Sequence, residues 1–257
     1  MSSVDLKKFM LKSIIKDIYI NDEIKKITPM RFLKFDQTRD FPYYKHNPRI
    51  SKLGWLTLLL LIPIVFFGSV LIEDLIISGA IFCFGLLIPL LYFSKWDYTL
   101  LFHKPTMDEI TLGVLMFAGY IIYVIAVSIL LEPTGLLGSE TPLYPEVIDA
   151  ELIVSLLFSL MGEELLKFIP LMFLLRVFFK YTGNRKISII LSSILVMIGF
   201  GLLHYDFESP IASCLLMQGF GTVFEIIGYV KTKNILISYL SHVLTDVFLF
   251  GISALGF

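Results

Sequence analysis

Glu163, Glu164 and Lys167 lie in the middle of a stretch apolar enough to span a bilayer, running from Glu151 to about Lys180. A charge at the centre of a membrane helix costs roughly 2.5–3.5 kcal/mol on insertion scales, so three such groups need partners or a wet cavity. Two later apolar runs supply candidates. Phe200-Gly201-Leu202-Leu203-His204 puts an aromatic ring one helical turn before a histidine, and His242-Val243-Leu244-Thr245-Asp246 puts a carboxylate one turn after another. Residues four apart share a helix face. By the same spacing Glu163 and Lys167 are i, i+4 neighbours, and Glu164 and Lys167 are i, i+3. Glu225 is a further acidic residue in an apolar run. It ranks lower because it falls nearer the expected cytoplasmic end, where a long side chain reaches water.

Intramembrane ionisable groups are functional by default, and this set suits hydrolysis by an activated water. A carboxylate taken out of water holds its proton more tightly and becomes a competent general base near neutrality. An opposed histidine orients the water or donates a proton, and a second histidine with a carboxylate one turn on faces a developing oxyanion. No Gly-x-Ser-x-Gly occurs, neither cysteine has a histidine beside it, and His-Glu-x-x-His is absent. A dispersed zinc site of Glu163, His204 and His242 remains an alternative. Each group also has a structural reading: Lys167 as a counter-ion that makes the acidic pair tolerable, His204 as an interfacial residue at a helix end. The helix alone does not say which of the two adjacent glutamates faces a cavity.

The positioning elements come from composition and hydropathy. The 257-residue chain is 56% hydrophobic and 17% charged, with a mean hydropathy of +0.82. Soluble domains average about 25% charged. Long apolar runs, rather than alternating segments of about ten residues, indicate an all-α, polytopic transmembrane helix bundle. About seven spans are expected, at 53–72, 75–93, 110–131, 151–180, 187–204, 211–230 and 235–250. The fourth is too long for a straight crossing, so Pro170 kinks it or its ends project. Twelve of the 21 Lys and Arg fall in residues 1–52. This basic arm is expected to carry an amphipathic helix over Val4–Ile27 on the membrane surface. Residues 53–257 form the membrane domain. Basic and acidic connections alternate, which by the positive-inside rule puts the N-terminus in the cytoplasm and the C-terminus outside. The first thirty residues lack an uninterrupted apolar core and read as without a cleaved signal. Cys83 and Cys214 read as small buried hydrophobes, and nothing points to nucleic acid.

The order Glu-Glu in one span, Phe-x-x-x-His in the next and His-x-x-x-Asp in a late span resembles the CPBP family of intramembrane glutamic proteases, which includes the type II CAAX prenyl proteases and the Abi proteins. Gly228-Tyr229, a short basic turn and the apolar run leading to His242 are similar to the family's tail, so the resemblance covers about residues 150–250. It departs at the first motif. The family has Glu-Glu-x-x-x-Arg, whereas Phe168 stands at the last position here and Lys167 one earlier, which looks more like the PrsW-type proteases. The resemblance implies a metal-independent intramembrane endopeptidase without a cofactor, acting on a membrane-embedded or lipidated protein or peptide. By it Glu163 is the water-activating base, His204 assists, His242 and Asp246 hold the scissile carbonyl oxygen, and Glu164, Lys167 and Phe200 are supporting. Gly162 lets another helix approach closely. Two other functions are kept beside this one. They are a non-catalytic membrane scaffold of the same fold and, lower, a proton- or cation-coupled transporter, whose inverted repeat is not found.

Overall fold

A computed structural model describes residues 50–136, 149–205 and 210–254, and these residues contain helices and no strand. The amphipathic helix expected over Val4–Ile27 lies outside them. The seven long helices are, in order, α1 Lys52–Val70, α2 Leu75–Phe93, α3 Met107–Leu131, α4 Ala150–Thr182, α5 Arg185–Leu203, α6 Ile211–Thr232 and α7 Ile235–Ala254. Six are long and apolar enough to cross a membrane, which makes the chain a multi-pass membrane protein. The seventh, α4, misses that description because Glu163, Glu164 and Lys167 interrupt its apolar run.

The helix ends are set by local chemistry. Ser51 accepts from the Gly54 amide at 3.0 Å to start α1, and Asp74 accepts from the Ile77 amide at 2.9 Å to start α2. At α3, Thr106 and Glu109 form a reciprocal capping box that satisfies two otherwise orphaned amides. Asp149 caps α4 through the Leu152 amide at 2.8 Å. That helix ends at Gly183, whose φ of 62° is a left-handed conformation that a side chain would oppose. With 33 residues, α4 is about 50 Å long at 1.5 Å per residue, well beyond a hydrocarbon layer of about 30 Å. Pro170 lies inside it without ending it.

Helix α4 is the hub. It packs most extensively against α2 and α5, and also against α1 and α7. Its residues Glu164 to Ile169 are all buried, whereas Leu56, Leu60, Ile64 and Phe67 of α1 are exposed, as suits a lipid-facing side. Gly162 is where α2 comes closest, since a Cβ there would stand 2.5 Å from the Phe82 ring.

Helix α6 carries a π-helical stretch at Cys214–Gly219 that hydropathy does not reveal. Wider turns of this kind favour functional regions. Inserted in a helix, such a turn rotates every later side chain about the axis, and Glu225 is one of these. The stretch is held from two sides. Tyr123 of α3 donates its hydroxyl to the Leu216 carbonyl at 2.7 Å. Backbone meets backbone where Gly219 lies on α5: a Cβ on Gly219 would stand 2.6 Å from the Met197 carbonyl oxygen and 3.2 Å from Gly201 Cα. Backbone atoms cannot step aside as a flexible side chain can. Gly219→Ala is therefore expected to lower the unfolding temperature in detergent, at a cost of about 1–3 kcal/mol. Gly199→Ala, with nothing within 4 Å of its Cβ position, should leave it unchanged, and equal melting of the two variants would contradict the close approach.

Candidate active site

The acidic pair is split by its environment. Glu164 is fully buried and Glu163 keeps 30% of its side chain exposed. On α4, Lys167 is one turn beyond Glu164, and its Nζ lies 2.5 Å from Glu164 Oε1. The same ammonium contacts Glu225 Oε2, delivered from α6. His242 of α7 completes the cluster, its Nδ1 2.8 Å from Glu164 Oε1 and 3.4 Å from Lys167 Nζ. Because a carboxylate accepts and the carboxylate is the nearer neighbour, Nδ1–H is the donor. Phe200 of α5 presents its ring 4.8 Å from Lys167 Nζ, a cation–π contact that offsets part of the ammonium's lost hydration.

The other nitrogen of His242 faces outward from this cluster. Its Nε2 lies 3.9 Å from Glu163 Oε2 and 3.9 Å from Asp246 Oδ1. Both gaps are too long for a direct hydrogen bond and suit an intervening water or reacting oxygen. Asp246 is held one turn beyond His242 by α7 itself. The cluster's backbone frame is tied across helices: Ser238 of α7 donates its hydroxyl to the Glu225 carbonyl at 2.7 Å, and the Tyr229 ring of α6 packs on Phe168 of α4 at 4.7 Å between centroids. At the α6–α7 turn, Lys233 takes a left-handed φ of 60°, and buried Asn234 donates to the His103 carbonyl at 2.8 Å.

Of the residues singled out in the sequence, Glu163, Glu164, Lys167, His242 and Asp246 meet around one imidazole, with Phe200 against the ammonium. His204 is placed differently. It caps the end of α5, is exposed, and sets its ring edge-to-face with Phe200, centroids 4.7 Å apart. Its Nδ1 donates to the Phe200 carbonyl at 2.9 Å. Among the described residues its ring makes no ion pair with Glu163, His242 or Asp246, and Phe200 is the link between His204 and the cluster. Glu225 departs most from expectation: its side chain is 8% exposed and paired with Lys167, not extended to water. The signal available is its place between Phe224 and Ile226 in an apolar run, the same signal that marks Glu163 and Glu164.

Glu164, Glu225 and His242 also bring three metal-ligand atoms within 4.8 Å of one another. Lys167 Nζ contacts all three groups, so the cation position among them is already taken by an ammonium.

A bundle of apolar helices, six of them long enough to cross a membrane, encloses this acid–base cluster. Residues 146–248 match the family of Rce1-like type II CAAX prenyl endopeptidases. The match covers this part of the chain, and the family it is similar to is one of proteases. No curated protein and no solved structure matches the chain.

Lys167 stands against two buried carboxylates, so removing it leaves uncompensated charge. Lys167→Ala is expected to cost about 3–5 kcal/mol, seen as loss of folded protein in a detergent melt. Lys167→Met combined with Glu164→Gln and Glu225→Gln removes the charges together and should recover most of that stability. A Lys167→Ala variant that melts like the wild type would refute the pairing.

Proposed function

We propose that the chain is a metal-independent intramembrane endopeptidase that cleaves a prenylated or otherwise membrane-anchored protein or peptide with a glutamate-activated water. The observation that carries this reading is the convergence of Glu163 and Asp246 on His242 Nε2, each at 3.9 Å.

Glu163 is the base because its neighbour is committed elsewhere. Glu164 Oε1 accepts from both Lys167 and His242 and is shut off from solvent, whereas Glu163 is half-buried and open to the reacting space. Glu163 takes a proton from water as the oxygen attacks the scissile carbonyl carbon. His242 donates Nε2–H to the oxyanion while its Nδ1–H remains on Glu164. Two carboxylates and one ammonium leave one negative charge in the cluster, and the imidazolium balances it. Asp246, in its carboxylic acid form, supplies a second donor to the oxyanion. The C–N bond then breaks, and Glu163 returns the proton to the leaving amine. His204 assists from α5 through Phe200, whose carbonyl accepts its Nδ1–H and whose ring lies against the Lys167 ammonium. No metal is used, which the presence of Lys167 among the ligand-type atoms supports. The N-terminus is cytoplasmic and the C-terminus external, with the basic arm at 1–52 ahead of the membrane domain.

Cleavage of a prenylated CAAX-terminated protein by purified, reconstituted chain tests this reading, with and without a strong chelator. Turnover that is unaffected by the chelator is expected. His242→Ala and Asp246→Ala should each lower it about 100- to 1,000-fold, the usual effect of losing an oxyanion donor, and His204→Ala should be comparably severe. Activity lost to the chelator and restored by zinc would move the histidines to metal ligation. No cleavage of any membrane-anchored substrate would favour the scaffold.

A further inference from the structure

A second polar site lies at the other end of α4. There the start of α1 and the last turns of α4 enclose a cavity of about 190 Å³. Three cations line it: Lys52 from the first turn of α1, and Arg176 and Lys180 one turn apart on α4. Val177 and three aromatic rings form the rest of the wall. Trp55 is buried against Phe173 with ring centroids 6.0 Å apart, and Tyr181 lies with its ring 5.5 Å from Lys180 Nζ. Among the described residues no carboxylate is within ion-pair distance of Lys52, Arg176 or Lys180. Three cationic residues line one cavity here, in contrast to the acid–base cluster about 18 Å away along α4, where the Lys167 ammonium is paired with Glu164 and Glu225.

We propose that this cavity binds the phosphate of an anionic phospholipid headgroup. Trp and Tyr favour the membrane–water interface, so the cavity's aromatic wall puts it at headgroup depth. Basic pockets between membrane helices hold anionic headgroups. Arg176 supplies a planar fork suited to two phosphate oxygens at once, and the lysines add charge from either side. The volume is below the roughly 300–1,000 Å³ of pockets for whole drug-sized ligands, which fits a headgroup phosphate whose acyl chains lie outside along the exposed apolar face of α1. A lipid bridging α1 and α4 at this end would fasten the helix that carries Glu163 without touching the chemistry.

The test uses the full chain in an uncharged, zwitterion-free detergent. It is titrated separately with short-chain phosphatidylglycerol, short-chain phosphatidylcholine and inorganic phosphate, and bound molecules are counted by native mass spectrometry alongside the melting temperature. Phosphatidylglycerol should bind at one saturable site and raise the melting temperature, and phosphatidylcholine should not. Arg176→Gln should weaken that binding at least about fivefold, the worth of one cation near an anionic surface. Lys180→Gln, at an exposed position, repeats the test should Arg176→Gln fail to fold. Lys104→Gln, in the α2–α3 loop outside the cavity, should bind as the wild type does. Equal binding of the two lipids, or unchanged phosphatidylglycerol binding in both cavity variants, would overturn the proposal. Protection by inorganic phosphate equal to that by phosphatidylglycerol would assign the cavity to free phosphate and overturn the lipid reading.

Discussion

Burying Glu164 is the constraint on which the rest of the molecule depends. A lone carboxylate inside an apolar bundle is untenable, and its nearest remedy, Lys167 one turn along, brings a second charge that is itself 1% exposed. The ammonium is then shared with Glu225, and the remaining negative charge is met by His242. Four groups from three helices are thereby committed to one another. Each is tolerable in the bundle because the others are there, and breaking such a set is far more costly than never having built it.

The helices are arranged to make that meeting possible. Gly162, next to the acidic pair, lets Phe82 press onto α4. The Gly201–Gly219 contact lets α6 lie on α5 through backbone alone. The π-helical stretch that ends at this contact, held by Tyr123, changes the phase of α6 before Glu225. On α7 the single imidazole divides the space in two. Its Nδ1 is tied to the buried, structural side and its Nε2 faces the half-open side, where Glu163 and Asp246 each stand 3.9 Å away. Neighbouring glutamates thus acquire opposite duties from opposite surroundings.

Much of this is legible in the sequence because charges in apolar runs are conspicuous. The helical class, the boundaries of most spans, and the pairings within a helix of Glu164 with Lys167 and of His242 with Asp246 come from hydropathy and from spacings of three and four residues. What spacing on one helix cannot show is which partner arrives from another. Lys167 is equally placed for Glu163 and Glu164 by spacing, and the choice is made by which face of α4 meets α6 and α7. Glu225 reads as reaching for water because the phase change upstream of it leaves no mark in hydropathy. Arg176 gives no signal because its role depends on Lys52, more than a hundred residues earlier in the chain. The family resemblance puts His204 at the acidic pair, and the structure interposes Phe200, a residue that spacing pairs with His204 but not with Lys167.

The central claim is that the two adjacent glutamates are divided between chemistry and structure. Substituting each singly by glutamine, and measuring cleavage and thermal unfolding on the same preparations, tests it most directly. Glu163→Gln should unfold at the wild-type temperature and show no cleavage, since the amide keeps the shape and loses the basicity. Glu164→Gln should unfold at a clearly lower temperature, because Lys167 and His242 lose the charge they share. A Glu163→Gln variant that still cleaves, or a Glu164→Gln variant that is inactive with wild-type stability, would contradict the account.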